Sequence, residues 1–157
     1  MKRLVSLLVG VCLVGLLAGC GGAKSTLSYT YNVETGDSIK VTLETQTGYN
    51  MTKDLPTTFT KKDTEDYEAK GLFLDGDSYD SVVSQVNASG SSVTILETGH
   101  TVEGNDYMFF SEDMGDGMTQ YSFVLHVNDS DTYYMMSTIS DRDLFEDNFD
   151  MLTFEAK

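Results

Sequence analysis

Apolar and polar residues alternate along much of this chain, and this period of two constrains the fold more than any other feature. Apolar residues occupy every second position from 27 to 33 and again from 39 to 43, on either side of the turn-forming stretch Thr35-Gly36-Asp37. Successive side chains of a strand point to opposite faces. The pattern therefore predicts a hairpin of two strands, each with one buried face.

The strand pattern continues through most of the chain. Further strands are predicted at 57–61, 67–74, 92–98, 107–112, 120–127, 132–139 and 153–156. Between two of them, the stretch 128–131 (NDSD) favours a tight turn, because Asn, Asp and Ser side chains bond to their own backbone. The run from Tyr133 to Met136 places bulky residues on both faces, which predicts a central, doubly covered strand.

Two segments change to a helical period. In 77–88, Tyr79, Val82 and Val86 recur at three-and-four spacing, and Asp77 or Ser78 could cap the first turn. A second apolar stripe runs from 141 to 151. The sequence thus predicts an α+β fold, an antiparallel sheet of about six to eight strands with two short helices packed on it. A β-sandwich is the alternative if the helices do not form.

The first twenty residues have a different layout. Lys2 and Arg3 precede an apolar run at 4–17, which is shorter than the ~20 residues of a membrane-spanning helix and typical of a secretory signal. The run ends in Leu17-Ala18-Gly19-Cys20, which resembles the lipobox of bacterial lipoproteins. This resemblance implies cleavage before Cys20 and diacylation of its thiol. The expected organisation is a signal peptide at 1–19, a flexible tether at 20–25 and a single globular α+β domain at 26–157.

The cysteine count supports lipidation over the alternative of an ordinary secreted protein. The chain has two cysteines, and Cys12 lies in the segment that would be removed, so Cys20 would have no disulfide partner. Two acyl chains hold a protein on a bilayer stably, whereas one chain holds it marginally. We therefore expect a lipid-anchored protein on the extracytoplasmic face of the cell membrane, in contact with membrane lipid through acylated Cys20.

Composition narrows the classes of partner. Loss of Lys2 and Arg3 with the signal would take the formal net charge from −15 to −17. Nucleic acid is excluded as an expected partner, because its binding depends on basic groups. The acidic domain should also point away from anionic head groups. An envelope protein is a more fitting partner, and the sequence sets no oligomeric state.

Three further stretches resemble known families. The segment "TISDRDLFEDNFDMLTFEAK" resembles the closing helix and strand of the PsbP-like fold, which occurs in small bacterial lipoproteins. The segments "TGDSIKVTLET" and "GNDYMFFS" resemble uncharacterised lipoproteins of Firmicutes. Neither resemblance implies catalytic residues.

Catalytic motifs are absent from the sequence. His100 and His126 have no zinc-like spacing, no nucleophile elbow occurs, and no glycine-rich phosphate loop follows a strand. We therefore expect neither an enzyme nor a cofactor. His126 should lie on the strand face opposite Phe123 and Leu125.

Two acidic stretches could hold a divalent cation, although each is also explained by local structure. The stretch "DGDSYD" starts like an EF-hand loop but departs from it at Tyr79, Asp80 and Val86, and a turn with a helix cap explains its acids equally well. The stretch "SEDMGDGM" also reads as a polar hairpin loop. The carboxylates that could bind a cation are Asp75, Asp77, Asp80, Glu112, Asp113 and Asp116.

These observations predict a membrane-anchored surface lipoprotein whose domain is a non-enzymatic protein-interaction or binding module of the cell envelope. One alternative is a small-ligand or divalent-cation binding lipoprotein, which would need a concave pocket with convergent polar groups. Another is a chaperone-like accessory subunit for envelope assembly, which would expose an apolar groove or an unpaired strand edge.

Overall fold

The structure is a computed structural model that describes residues 24–88, 90 and 92–157. The predicted signal peptide, Leu17, Ala18, Gly19 and Cys20 lie outside the described residues. The described part contains these elements in chain order: β1 (Thr26–Asn32), β2 (Ser38–Glu44), β3 (Tyr49–Met51), β4 (Thr57–Lys61), β5 (Thr64–Leu74), α1 (Gly76–Ala88), β6 (Val93–His100), β7 (Asp106–Gly115), β8 (Met118–His126), β9 (Tyr133–Thr138), α2 (Arg142–Asp150) and β10 (Leu152–Ala156).

The strands form two antiparallel sheets. The smaller sheet has the order β1-β2-β10, and the larger has the order β3-β4-β5-β9-β8-β7-β6. The predicted α+β class with two short helices is confirmed. The prediction of one sheet with six to eight strands differs from the observed ten strands in two sheets. The difference arises because β10 pairs with β2 and thereby keeps the first hairpin outside the larger sheet.

The two sheets and α2 enclose the main hydrophobic core. Residues from the small sheet, such as Val41 and Phe154, share this core with Phe59 and Phe123 of the large sheet and with Phe145 of α2. On its other face the large sheet is covered by α1, which packs Val86 against β7 and β8 in a second, smaller cluster. The fold is therefore layered, and the large sheet is covered on both faces where α1 packs on it.

Strands β8 and β9 show this two-sided burial. Phe123 and Leu125 face the main core, whereas Val124 faces the α1 cluster, as the alternation predicts. β9 occupies the middle of the large sheet, and Tyr134 on its core face is 2% exposed. The expectation of a central strand at 133–136 is confirmed.

Helix α2 is fixed to β3 and β4 by partly buried polar contacts. Tyr49 donates its hydroxyl to the Leu144 carbonyl at 2.8 Å and to Asp147 Oδ2 at 3.0 Å. Lys61 Nζ lies 3.4 Å from the same carboxylate oxygen. Burial, followed by the Asp147 carboxylate, raises the pKa of Tyr49. The tyrosine therefore stays neutral and donates.

The turn after β1 is joined to the turn after β8 by a single carboxylate. Asp37 Oδ2 accepts hydrogen bonds from Thr132 Oγ1 at 2.7 Å, the Asp131 amide at 2.9 Å and Thr35 Oγ1 at 3.2 Å. The hydrogen bond from Thr132 is the largest of the effects that lower the pKa of Asp37. This contact fixes the small sheet to the large one at the end of β1 where the strand leaves the core.

Candidate binding groove

A mostly apolar recess of about 400 Å³ opens where β1 and β5 end and α1 begins. We call it the distal groove. It is lined by Asn32, Val33, Glu34, Thr35, Leu55, Pro56, Leu72, Phe73, Leu74, Asp75 and Ser78. These residues come from three separate stretches of the chain, which only the packing of the two sheets brings together.

The groove exists because β4 is shorter than the strand beside it. The β4–β5 ladder ends at Thr57 opposite Gly71, one residue after Pro56, which has no N–H to donate to a ladder. β5 continues to Leu74 and remains paired with β9 on its other side. Residues 72–74 therefore form a wall of the groove beyond the point where β4 covers them.

Two leucines leave apolar surface open at the rim. Leu72 is 42% exposed and Leu55 is 45% exposed. Leu72 belongs to the outward face of β5, where Glu68 and Lys70 are also exposed, so an apolar residue interrupts a polar row. Such a row is normally polar when it faces solvent.

The groove rests on an aromatic floor. The ring of Phe73 lies 5.2 Å from the ring of Tyr31 and 4.9 Å from that of Tyr134, centroid to centroid. Tyr134 is buried in the main core. The floor is therefore continuous with the core. Because Phe73 also belongs to the wall formed by residues 72–74, this packing holds the wall in place.

The charges on the lining are acidic. Glu34 and Asp75 are its charged residues. Asp75 Oδ1 accepts a hydrogen bond from the Ser78 amide at 2.8 Å and so caps α1, which corrects the expectation that Asp77 or Ser78 is the cap. Hydrogen bonds from the side chain and then the backbone of Ser78 lower the pKa of Asp75. The rim thus combines carboxylates with apolar walls.

The groove lies at the opposite end of β1 from Lys24 and Ser25, the described residues of the predicted tether. Lys24 precedes the first residue of β1 and pairs with Glu44 at 2.6 Å, and the Ser25 carbonyl accepts a hydrogen bond from the Thr45 amide. The groove begins at Asn32, the last residue of β1. At about 3.3 Å per residue, β1 separates the two ends by roughly 20 Å.

The first predicted cation stretch forms the start of α1. Asp75 is the cap, Asp77 lies in the first turn, and Asp80 is exposed one turn further on. Among the described residues, no three His, Cys, Asp or Glu side chains converge on a position that could hold a metal ion. Of the three carboxylates in this stretch, Asp75 alone lines the groove.

The second cation stretch lies partly in a strand rather than wholly in a loop. Glu112 and Asp113 belong to β7, and Asp116 occupies the turn before β8 with a φ of 54°. Asp113 Oδ1 accepts a hydrogen bond from the Gly115 amide at 2.8 Å. These carboxylates shape the β7–β8 hairpin and do not reach the groove residues.

The two histidines lie away from the groove. His100 ends β6 and its Nδ1 contacts Asp106 on the exposed surface. His126 ends β8, where its Nε2 lies 2.9 Å from the Ser130 carbonyl and its ring packs on Tyr133. Both side chains have local partners, and neither is brought beside a nucleophile by these contacts.

The groove was not predicted from the sequence. Its residues carry no motif, and the long-range packing that joins them cannot be inferred from local pattern. Leu72 is the residue that could have indicated the groove from the sequence, because it is an apolar residue on the polar face of a predicted strand. Leu55 before Pro56 was a second apolar residue outside the predicted core pattern.

The sequence matches no known family model and no curated protein. Within the described ranges, no helix is both long and apolar enough to cross a membrane. The geometry of the groove and the sequence of the first twenty residues are therefore the features that indicate a function.

Proposed function

We propose that this protein is a lipid-anchored binding protein of the cell envelope, which holds a partner protein in the distal groove. The observation that carries the proposal is the placement of the groove at the far end of β1 from the tether. A chain fixed at Cys20 would present this surface outward.

The dimensions of the tether support that orientation. Three residues lie between Cys20 and Lys24, and the four Cα–Cα steps that join these two residues span at most about 14 Å when the chain is fully extended. The start of β1 would then remain near the head groups, and the groove would open roughly 20 Å further out along the strand. Two acyl chains on Cys20 would make this attachment stable.

The lining of the groove supports binding over catalysis. Its residues offer aliphatic and aromatic surface with two carboxylates, an asparagine, a threonine and a serine, and the hydroxyl of that serine contributes to the cap of α1. This lining contains no histidine, cysteine or lysine that could act as a base or nucleophile. Apolar walls with a few polar groups are typical of recognition sites.

A small-molecule carrier is the second candidate, because the volume of about 400 Å³ lies within the range of ligand pockets. The exposed rim favours a protein partner. A small ligand inside the recess would leave much of Leu55 and Leu72 in water, whereas a protein surface would cover both residues. An exposed apolar rim of this kind is a common feature of protein-binding surfaces.

Photocrosslinking in the native envelope tests the proposal. A benzophenone amino acid at position 72 should yield one discrete protein adduct, identified by mass spectrometry. The matched control is position 139, because Ile139 is also apolar and 66% exposed but follows β9 at the opposite end of that strand. Adducts that are equal at both positions, or that contain only lipid, would contradict the proposal.

The anchor is tested separately. Mass spectrometry of the amino-terminal peptide of the native protein should show a chain that begins at Cys20 and carries the mass of its acyl groups. Cys20→Ser should release the protein from the membrane fraction. An unmodified cysteine, or a mature chain that begins elsewhere, would remove the anchor from the proposal while leaving the groove to be tested by crosslinking.

A further inference from the structure

The lining of the distal groove narrows the chemistry of its partner. We propose that the groove binds an extended peptide segment in which an apolar side chain adjoins a lysine or arginine. This inference rests on the proposed function and specifies which segment of a partner protein would occupy the groove.

The apolar part of the proposal follows from the walls and the floor. Leu55 and Leu72 both line the recess with almost half of their surfaces in water, and Phe73 joins the lining to the core through its ring contact with Tyr31. Burial of aliphatic surface is worth roughly 25 cal/mol per Å². One inserted aliphatic side chain would cover both leucines, because they line the same recess.

The basic part follows from the charge of the rim. Glu34 and Asp75 lie on the lining, which contains no lysine, arginine or histidine to neutralise them. Asp75 uses Oδ1 to cap α1, and a carboxylate has two oxygens with further lone pairs to offer. The net charge of −15 over the chain adds a long-range attraction for cations. An ammonium or guanidinium group on the partner would complement both carboxylates.

The extended conformation follows from the ladder of β5. The register of β4 stops opposite Gly71, so Leu72, Phe73 and Leu74 are paired in the ladder with β9 alone. An extended segment can lie beside such a stretch and place alternate side chains into the recess. A helix is about 10–12 Å across with its side chains. A recess of about 400 Å³ is too small to hold a helix of that width over several turns.

Capped hexapeptides test this inference. The probe is Gly-Ser-Leu-Lys-Ser-Gly with a fluorophore, and the comparison peptides replace its lysine by glutamate or its leucine by serine. The protein is the mature chain isolated from its host, together with phosphatidylcholine nanodiscs that receive any lipid anchor. Fluorescence polarisation should show the strongest binding for the leucine–lysine peptide, and salt should weaken it.

Charge-neutral variants show where the peptide binds. The double variant Glu34→Gln with Asp75→Asn should weaken binding of the leucine–lysine peptide about 3- to 10-fold, because each surface pair contributes modestly. Asparagine keeps the cap of α1. The control is Glu65→Gln with Asp66→Asn, which removes the same charge from the exposed start of β5, roughly 20 Å from Leu72, and should leave binding unchanged.

Each outcome decides the inference. Peptides that bind equally with lysine or glutamate, an equal loss in both double variants, or no binding by any peptide would each overturn it. An adduct at position 72 in the envelope alongside any of these results would leave the proposed function standing with a different class of segment. Failure of both experiments would remove the groove as a binding site.

Discussion

The hydroxyl oxygen of Tyr134 lies 1.9 Å from the point where a Cβ atom on Gly71 would stand. Gly71 faces the core on β5, and Tyr134 lies on the neighbouring strand β9. The ring carbon that carries the hydroxyl is 2.4 Å from the same point. Glycine is therefore required here by close packing, and the aromatic floor of the distal groove depends on it.

Gly71→Ala should lower the free energy of unfolding by about 2 to 3 kcal/mol, because the added methyl group overpacks the core. Gly76→Ala is the control, since nothing lies within 4 Å of its Cβ position at the start of α1. That change should be neutral or slightly stabilising. Urea unfolding measures the free energy of unfolding of both variants, and equal effects would contradict the packing argument.

Tyr134→Phe should not restore the stability that Gly71→Ala removes, because the ring carbons would still clash with the added methyl group.

Ionisation of Asp37 should make the free energy of unfolding depend on pH. Its folded pKa is lowered by the hydrogen bonds from Thr132, Asp131 and Thr35. A carboxyl group with a lowered pKa contributes stability above its unfolded pKa, near 3.9, and loses it as the pH falls through the folded pKa. Asp37→Asn should therefore destabilise the protein at pH 7, and the difference from the native chain should shrink towards pH 2.

Urea unfolding between pH 7 and pH 2 provides the measurement. Glu65→Gln serves as the control for Asp37→Asn, because it removes one charge from an exposed position of β5. A difference between Asp37→Asn and the native protein that is the same at pH 7 and pH 2 would show that the carboxylate charge is not the cause.

The ionised carboxylate of Asp150 should destabilise the folded protein at pH 7, whereas that of Asp37 stabilises it. It ends α2, where a negative charge meets the carbonyl end of the helix. Burial, followed by Asp147 and Glu146, raises its pKa. A carboxyl group with a raised pKa favours the folded state below its unfolded pKa, and this contribution is lost as the pH rises through the folded pKa.

Asp150→Asn should consequently raise the midpoint of thermal unfolding at pH 7 and leave it unchanged near pH 3. Asp143→Asn, in the first turn of the same helix, is the matched control, because a carboxylate there interacts favourably with the amino end. If Asp143→Asn raised the midpoint of thermal unfolding at pH 7 as much as Asp150→Asn does, the destabilisation could not be assigned to the charge of Asp150 at the carbonyl end of α2.

Tyr67 and Asn148 should be strongly coupled. Tyr67 donates its hydroxyl to Asn148 Oδ1 at 2.9 Å, and both side chains are buried. Asn148→Ala would leave the tyrosine hydroxyl without its acceptor at a cost of about 1–3 kcal/mol beyond the lost packing. In a double-mutant cycle with Tyr67→Phe, the coupling energy should exceed about 0.5 kcal/mol. Additive effects would show that this hydrogen bond does not hold α2 on β5.

Local pattern identified most individual elements but not their pairing. The strand at 57–61 is predicted with its observed bounds, and both helices lie within one residue of their predicted starts. β3 was missed because three residues are too few to show a period of two. The division into two sheets was missed because it depends on the pairing of β10 with β2, which no local signal encodes.

Because local pattern does not encode long-range packing, the groove was not predicted, although several of its lining residues belong to predicted elements. Asp75 was identified from its acidic stretch, and the structure places it on the groove rather than among converging carboxylates. Leu72 was included in a predicted strand as an ordinary member. Its exposure follows from its place on the outward face of β5, where Glu68 and Lys70 are also exposed. Its position on the groove depends on where the β4 ladder ends, a feature of the neighbouring strand that the pattern of β5 does not contain.

The pairing of Leu152 with Leu43 joins positions about 110 residues apart and completes the small sheet. Until β10 has been synthesised, β2 has a free edge and its inward residues Ile39, Val41 and Leu43 lack the cover of Phe154. Contacts of such high sequence separation slow folding. A polypeptide with this strand pairing cannot complete its hydrophobic core until β10 has been synthesised.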